Sequence, residues 1–216
     1  MTMHIDVKNH AFAFAEVHMG AGETLYTAPG SMAIMRGALE VGASLGGGGA
    51  LKAMFRKYAD QTSLMAKYTA KGEALLGLTP DDPGDIAVLD LSRTGPLRIE
   101  AGALLAYEST VQIDTRMTNV RKMLMSNSAI GIRASGTGYV LVSTFGAMQT
   151  TALEPGETMI VDNGHMVAWS DKMPMKFRPL GGLAKSNLVG EGFVGQFEGP
   201  GTVLVQTRKR VGRKRR

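Results

Sequence analysis

Short runs of apolar residues recur along the chain, and most of them are bounded by Gly, Pro or Asp. Clear examples are DIAVLDL (residues 85–91), GYVLVSTF (138–145), ETMIVD (157–162) and GTVLVQTR (201–208). Runs of this length that are rich in Val, Leu and Ile are typical of β-strands. Apolar residues at helical spacing occur in two short segments, residues 50–59 and 118–125. The pattern predicts an all-β fold with one or two short connector helices.

Three phrases of the sequence resemble one another. They are GETLYTAPGSMAIM (residues 22–35), GPLRIEAGALLAY (95–107) and GETMIVDNGHMVAW (156–169). Each opens on a Gly, passes through a short strand-like run to a second Gly, and leaves in another apolar run. The central glycines Gly30, Gly102 and Gly164 are 72 and 62 residues apart. We interpret these glycines as the turn residues of a repeated unit.

A second set of landmarks gives a similar period. Turns are predicted at Lys71-Gly72-Glu73, at Gly136-Thr137-Gly138 and at Gly199-Pro200-Gly201, and Gly72, Gly138 and Gly201 are 66 and 63 residues apart. The two spacings together predict one globular body of three fused β units, at about residues 1–80, 81–145 and 146–207. The alternative is a single β-sandwich, in which strands separated by Gly resemble one another without repetition.

Composition limits the chemistry open to this chain. It has 216 residues, of which 44% are hydrophobic, and it contains no cysteine. A disulfide framework, a thiolate metal site and a cysteine nucleophile are therefore excluded. The first ten residues lack the pattern of a secretory signal, and the apolar runs are too short to cross a bilayer, so we expect a cytoplasmic protein.

The positive charge of the chain is concentrated at its C-terminus. The last nine residues, RKRVGRKRR, hold seven of the 24 Lys and Arg side chains, so the rest has 17 cations against 19 carboxylates. Such a run favours a disordered tail that contacts a polyanion, either nucleic acid or an anionic membrane, while the alternative is a tail that only aids solubility. The predicted polyanion-binding residues are Arg208, Lys209, Arg210, Arg213, Lys214, Arg215 and Arg216.

Motifs for catalysis and metal binding are weak in this sequence. The four histidines do not have metal-binding spacing, and the Gly-rich residues 42–49 lack the Gly-Lys-Ser or Gly-Lys-Thr ending of a phosphate loop. We therefore expect no metal site, no cofactor and no catalytic residue. A candidate ligand pocket is formed by Asp162, His165 and Trp169, because an aromatic ring beside polar groups suits a small molecule. The alternative is that Trp169 belongs to the core or to a subunit contact.

Four segments in a fixed order resemble one protein family. VLDLSRTGPLRIEAGALLA, IRASGTGYVLVSTFGAM, GETMIVDNGHMVAW and GEGFVGQFEGPGTVLVQTR are similar to the altered-inheritance-of-mitochondria twenty-four family. The resemblance covers about residues 64–208, and more loosely residues 22–49. It implies three tandem units like the tryptophan RNA-binding attenuation protein, each a short double-stranded β-helix or β-sandwich, arranged around a pseudo-threefold axis. It implies a scaffold rather than an enzyme, and the basic tail is not part of the family pattern.

Three functions follow as expectations. The first is a non-enzymatic oligomeric β scaffold that binds a partner or ligand, because free edge strands invite pairing between chains and a homo-oligomer would cover them. The second is a nucleic-acid-binding ring, by analogy with the attenuation protein. The third is an enzyme with an active site that is not recognisable from sequence motifs.

Overall fold

The computed structural model describes residues 3–9, 11–45, 64–114, 131–180 and 193–209. The elements of this part are, in chain order, β1 (His4–Lys8), β2 (Phe14–Met19), β3 (Thr24–Thr27), β4 (Met32–Leu45), β5 (Leu64–Leu78), β6 (Ile86–Asp90), α1 (Leu91–Thr94), β7 (Leu97–Ile99), β8 (Leu104–Glu108), β9 (Val111–Asp114), β10 (Ile132–Gly136), β11 (Tyr139–Ser143), β12 (Met148–Leu153), β13 (Thr158–Asp162), β14 (Met166–Ser170), β15 (Met175–Pro179), β16 (Phe193–Glu198) and β17 (Gly201–Gln206). The predicted all-β fold is confirmed. The helices expected at residues 50–59 and 118–125 lie outside the described residues.

The described strands form three antiparallel sheets. The first has the order β1-β2-β5-β3-β8-β11-β6, with β4 also paired to β5. The second has the order β12-β17-β14-β7-β10-β9, and the third β13-β16-β15. The end strands β1 and β6 of the first sheet contact each other, so this sheet curls strongly.

Three clusters of buried side chains hold these sheets together. One lies within the curled first sheet and includes Leu25 and Leu76. The next joins the first sheet to the second, for example through Val140 and Ile99. The last joins the second sheet to the third and includes Trp169. The three sheets therefore follow one another in layers, and neighbouring sheets share a core.

The same scheme of strand pairing occurs three times along the chain. In residues 86–143, the last strand β11 pairs with β6 and β8, and β10 pairs with β7 and β9. In residues 148–206, β17 pairs with β12 and β14, and β16 pairs with β13 and β15. Each of these units thus has six strands: the sixth pairs with the first and third, and the fifth pairs with the second and fourth.

The first unit follows this scheme with fewer breaks in its strands. Residues 74–78 of β5 pair with β2 and with residues 32–37 of β4. Residues 64–70 of β5 pair with β3 and with residues 39–45 of β4. In this unit β4 therefore supplies the third and fourth strands, and β5 supplies the fifth and sixth. The likeness of each unit to the attenuation protein, and the pseudo-threefold axis, stay predictions.

The turn predicted at Lys71-Gly72-Glu73 is wrong, because these residues lie inside β5. They bulge opposite Ala38 of β4, at the point where the pairing register shifts. Gly37 permits this approach: its φ is +88°, and a Cβ there would clash with the Glu73 carbonyl oxygen. The chain changes partner at this bulge without reversing.

The three central glycines lie at the same place in the pairing scheme, between the second and third strands. Gly102 and Gly164 are the middle residues of 3-10 turns, Ala101–Ala103 and Asn163–His165. Gly30 lies in a turn of different conformation, with a φ of +81°. The position of the turn is therefore repeated three times and its backbone conformation twice.

Candidate functional site

Trp169, the aromatic residue of the predicted pocket, is part of the core. Its side chain is buried, and its ring meets that of Phe197 edge to face with centroids 5.7 Å apart. Trp169 packs with Phe197 and Val203 in the core between the second and third sheets, whereas Asp162 and His165, at the turn before β14, are only partly buried. The structure therefore does not bring Trp169 into a pocket with the other two residues.

Asp162 and His165 stabilise the turn between β13 and β14. The Asp162 carboxylate accepts a hydrogen bond from the Gly164 N–H at 2.9 Å and caps the 3-10 turn. His165 Nδ1 donates to the backbone carbonyl of Gln206 at 2.6 Å. Both side chains therefore have structural partners.

Gln206, which sequence reasoning missed, completes this arrangement. Its side chain is buried at the end of β17, where Nε2 donates to the Gly164 carbonyl and Oε1 accepts from the Phe145 N–H, each at 2.9 Å. A buried amide must satisfy both its donor and its acceptor. We call Asp162, His165 and Gln206 the C-terminal clasp, because together they hold the turn against the end of β17.

Asp162 of the clasp and the neighbouring Phe145 contact the first residues of the basic tail. Lys209 Nζ lies 3.2 Å from the Asp162 carboxylate, and the Arg208 guanidinium stands 5.6 Å from the centroid of the Phe145 ring. One predicted tail cation thus pairs with one predicted pocket residue. The other predicted tail residues, Arg210, Arg213, Lys214, Arg215 and Arg216, lie outside the described part.

A cluster of three charged side chains lies on the second sheet. Asp171, in the turn after β14, accepts from Arg98 Nε at 2.6 Å and from Arg133 Nε at 2.8 Å. Burial raises the pKa of the Asp171 carboxyl, but the hydrogen bonds and charges of the two guanidinium groups outweigh it and hold that pKa below its ordinary value. Because the carboxylate occupies the space between the two arginines, this cluster is suited to joining strands.

Apart from Val41 on residues 39–45 of β4, the large apolar side chains exposed on the described strands lie on two strand edges. Among the described residues, β13 pairs only with β16, and residues 32–37 of β4 pair only with β5. The large apolar side chains exposed there are Met32, Ile34 and Met35 on β4 and Ile160 on β13. We call these two edges the open edges. Exposed apolar edge strands are sites at which another chain can pair.

Metal-binding groups are few in the part of the chain that the structure describes. No group of three or more His, Asp or Glu side chains there could hold a metal ion. His4 and His18 do come together, with ring centroids 6.1 Å apart, because they lie opposite each other on β1 and β2. This contact could not be predicted from sequence spacing, because the two histidines are 14 residues apart and meet only through the pairing of β1 with β2.

A surface depression of about 250 Å³ lies beside the loop that follows β5. Its lining residues are Phe12, Ala13, Thr79, Pro80, Asp81, Asp82, Pro83 and Gly84. The depression is open to solvent and brings together no set of catalytic groups.

Of the helices in the described ranges, none has the length and apolar character needed to cross a membrane.

Comparison with known proteins gives consistent matches over nearly the whole chain. A family model described as mitochondrial biogenesis AIM24 matches residues 5–208. An uncharacterized protein of Streptococcus pyogenes serotype M6 is 28% identical over 204 residues, which are 91% of this chain and 82% of that protein. A crystal structure of a protein from Streptococcus pyogenes superposes with a TM-score of 0.78 at 26% identity, covering 96% of this chain and 94% of the other.

Proposed function

The chain belongs to the mitochondrial biogenesis AIM24 family, and we propose that it is a non-enzymatic scaffold. In this proposal the protein assembles as a homo-oligomer, its folded body binds protein partners or a small ligand, and its basic tail contacts a polyanion. A cytoplasmic location is part of the same proposal. The family name states no reaction, and the curated relative is uncharacterized, so the proposal rests on the surface of the body and on its charges.

The observation that carries the proposal is the pair of open edges. Among the described residues, β13 pairs only with β16 and residues 32–37 of β4 pair only with β5, so each has one edge without a neighbouring strand, next to exposed apolar side chains. Sheet edges of soluble proteins are usually protected by charges, bulges or covering elements. Pairing between chains would bury both the apolar side chains and the backbone groups.

The base of the tail supports the polyanion part of the proposal. Lys209 and Arg208 contact the body through Asp162 and Phe145, so the cations that follow start from a defined place on the surface. Each cation near an anionic membrane contributes about 1 kcal/mol of attraction. In a homo-oligomer several tails would act together, and avidity would increase the effect.

Multi-angle light scattering of the full chain at a series of micromolar concentrations tests the assembly. We expect a mass that is a multiple of 23.0 kDa, with dissociation only on dilution. A mass of 23.0 kDa at every concentration would overturn the scaffold proposal.

The tail is tested with a chain that ends at Lys209, which keeps the contacts to the body. Sedimentation with vesicles of phosphatidylserine, compared with neutral vesicles, and retention of a single-stranded RNA are measured for both chains. We expect the full chain to bind an anionic partner in a salt-sensitive way and the shortened chain to lose most of this binding. RNA retention that truncation leaves unchanged would place a site in the body and favour the nucleic-acid-binding ring instead.

A further inference from the structure

The units within the chain are joined by one recurring type of strand pairing. The second strand of the first unit, β3, pairs with the third strand of the second unit, β8. The second strand of the second unit, β7, pairs with the third strand of the third unit, β14. Each junction therefore uses the strand before the central turn of one unit and the strand after the central turn of the next.

The two junctions have the same register. Tyr26 lies opposite Tyr107, and Arg98 lies opposite Trp169. Tyr26 and Arg98 each stand four residues before the central glycine of their unit, and Tyr107 and Trp169 each stand five residues after theirs. The junction is thus a repeated structural rule.

Backbone hydrogen bonds at the ends of the junctions agree with this register. The Ala28 N–H donates to the Leu105 carbonyl at 2.7 Å, and the Glu100 N–H donates to the Val167 carbonyl at 2.8 Å. At the other end, the Ser109 N–H donates to the Thr24 carbonyl at 3.2 Å, and the Asp171 N–H donates to the Pro96 carbonyl at 3.0 Å. All four bonds connect equivalent positions of the repeated unit.

The open edges are the two strands that this rule leaves without a neighbour. β13 is the second strand of the third unit, and residues 32–37 of β4 form the third strand of the first unit. Ile160 stands four residues before Gly164, and Met35 stands five residues after Gly30. Their side chains are 51% and 46% exposed. The rule therefore places two exposed apolar side chains opposite each other.

We propose that β13 of one copy pairs antiparallel with residues 32–36 of β4 in a second copy, with Ile160 opposite Met35. This inference rests on the proposed function, since it specifies the junction of the homo-oligomer. In this register the two strands repeat the residue pairing of the two internal junctions. The interface joins different surfaces of two copies, so repetition gives a closed ring or a filament.

The fourth strands of the units show why the open edges differ from other free edges. Residues 39–45 of β4, β9 and β15 each pair only with the fifth strand of their own unit within the described residues. Within the described residues, neither β9 nor β15 pairs with a strand of a neighbouring unit. In contrast, each junction inside the chain pairs the second strand of one unit with the third strand of the next. A junction with another copy is therefore expected at a second and a third strand, and not at a fourth strand.

Disulfide trapping tests this register, because the chain contains no cysteine. Met35→Cys and Ile160→Cys are prepared as separate proteins, mixed, oxidised and examined on a non-reducing gel. Opposite residues of an antiparallel pair have Cα atoms about 5.5 Å apart, which suits a disulfide. We expect a linked dimer from the mixture and none from either protein alone. Val41→Cys mixed with Ile160→Cys is the matched control. Val41 is also exposed on β4, but it lies in residues 39–45, which form the fourth strand of the unit. We expect no disulfide-linked dimer from this mixture.

Other outcomes overturn the inference in distinguishable ways. A dimer from Met35→Cys alone indicates twofold pairing of β4 with itself. A third protein carries both Met35→Cys and Ile160→Cys, and an internal disulfide in its monomers indicates closure within one chain. An oligomeric wild type without the mixed crosslink overturns this register and leaves the proposed function standing, whereas a monomeric wild type overturns both.

Charge substitution gives a second test that does not depend on oxidation. Met35→Lys and Ile160→Glu each place a charge at an exposed position, so far-UV circular dichroism should be unchanged, while the mass by light scattering should fall to 23.0 kDa. The double variant should recover a larger mass, because opposite charges then face each other across each junction. Single variants that keep the wild-type mass would refute the inference.

Discussion

Asp171 gives the most direct test of how the second sheet is held together. Its carboxylate, 12% exposed, accepts one hydrogen bond from each of Arg98 and Arg133, which lie directly opposite each other on β7 and β10. Asp171→Asn keeps the size of the side chain and removes its charge. The variant then leaves two like charges side by side on one face of the sheet.

The expected cost lies between those of exposed and buried ion pairs. Exposed pairs are worth about 0–1 kcal/mol, and removing one partner of a buried pair costs about 3–5 kcal/mol. The two arginines are about one third exposed, at 32% and 37%, so we expect Asp171→Asn to lower the free energy of unfolding by about 2 kcal/mol. Urea unfolding followed by circular dichroism at neutral pH measures this value. Glu40→Gln, which removes an ion pair to Lys71 with both side chains more than half exposed, is the control and should leave the free energy of unfolding nearly unchanged.

The pH dependence of this cost has a definite sign. The two arginines hold the pKa of Asp171 below its ordinary value, so the stabilisation is present above the unfolded-state pKa and is lost as the pH falls through the folded-state pKa. The difference in stability between wild type and Asp171→Asn should therefore narrow below about pH 4. A cost no larger than that of Glu40→Gln, or a difference that does not narrow in acid, would refute the assigned role of the carboxylate.

Three further substitutions are tested in the same unfolding assay. Gln206→Leu should cost about 2 kcal/mol, because it leaves the Gly164 carbonyl and the Phe145 N–H without their partners, whereas Gln149→Leu on the exposed face of β12 should cost under about 0.5 kcal/mol. Gly37→Ala should lower the free energy of unfolding by about 3 kcal/mol, because the added Cβ clashes with the Glu73 carbonyl and the positive φ strains the backbone. Its control is Gly22→Ala, at a similar φ but with no atom within 4 Å of the added Cβ. The control should lower the free energy of unfolding by about 1 kcal/mol. Trp169→Ala should cost about 4 kcal/mol through loss of core packing, and equal stability to wild type would show that Trp169 is not a core residue.

Strands and the family could be predicted from the sequence, since both depend on local signals. The runs at residues 157–162 and 201–208 are bounded by turn residues and form β13 and β17 within a residue or two. Gly138 and Gly201 have positive φ at the ends of the predicted turns. The turn at Lys71-Gly72-Glu73 was not distinguishable from these, because a glycine permits both a reversal and a bulge.

The candidate site could not be predicted, because its contacts join residues far apart in sequence. Asp162 and His165 lie within seven residues of Trp169 along the chain, yet Trp169 packs in the core between the second and third sheets while the other two lie at a partly exposed turn. Gln206, which lies 41 residues after His165, binds the same turn only because β14 pairs with β17. Arg98 and Asp171 are 73 residues apart, and no spacing rule connects them.

The open edges follow from the number of units rather than from any single residue. A chain of three units joined in a row by second-to-third strand pairing has two junctions. Among the described residues, the second strand of the third unit and the third strand of the first unit therefore have no partner in another unit. The internal junctions place aromatic and long side chains opposite each other, with the Tyr26 and Tyr107 rings stacked at a centroid distance of 5.0 Å. At the equivalent places the open edges carry Ile160 and Met35, where a strand that stays free in water would more often carry a charge. This choice of side chains is expected if the third junction is formed with another copy of the chain.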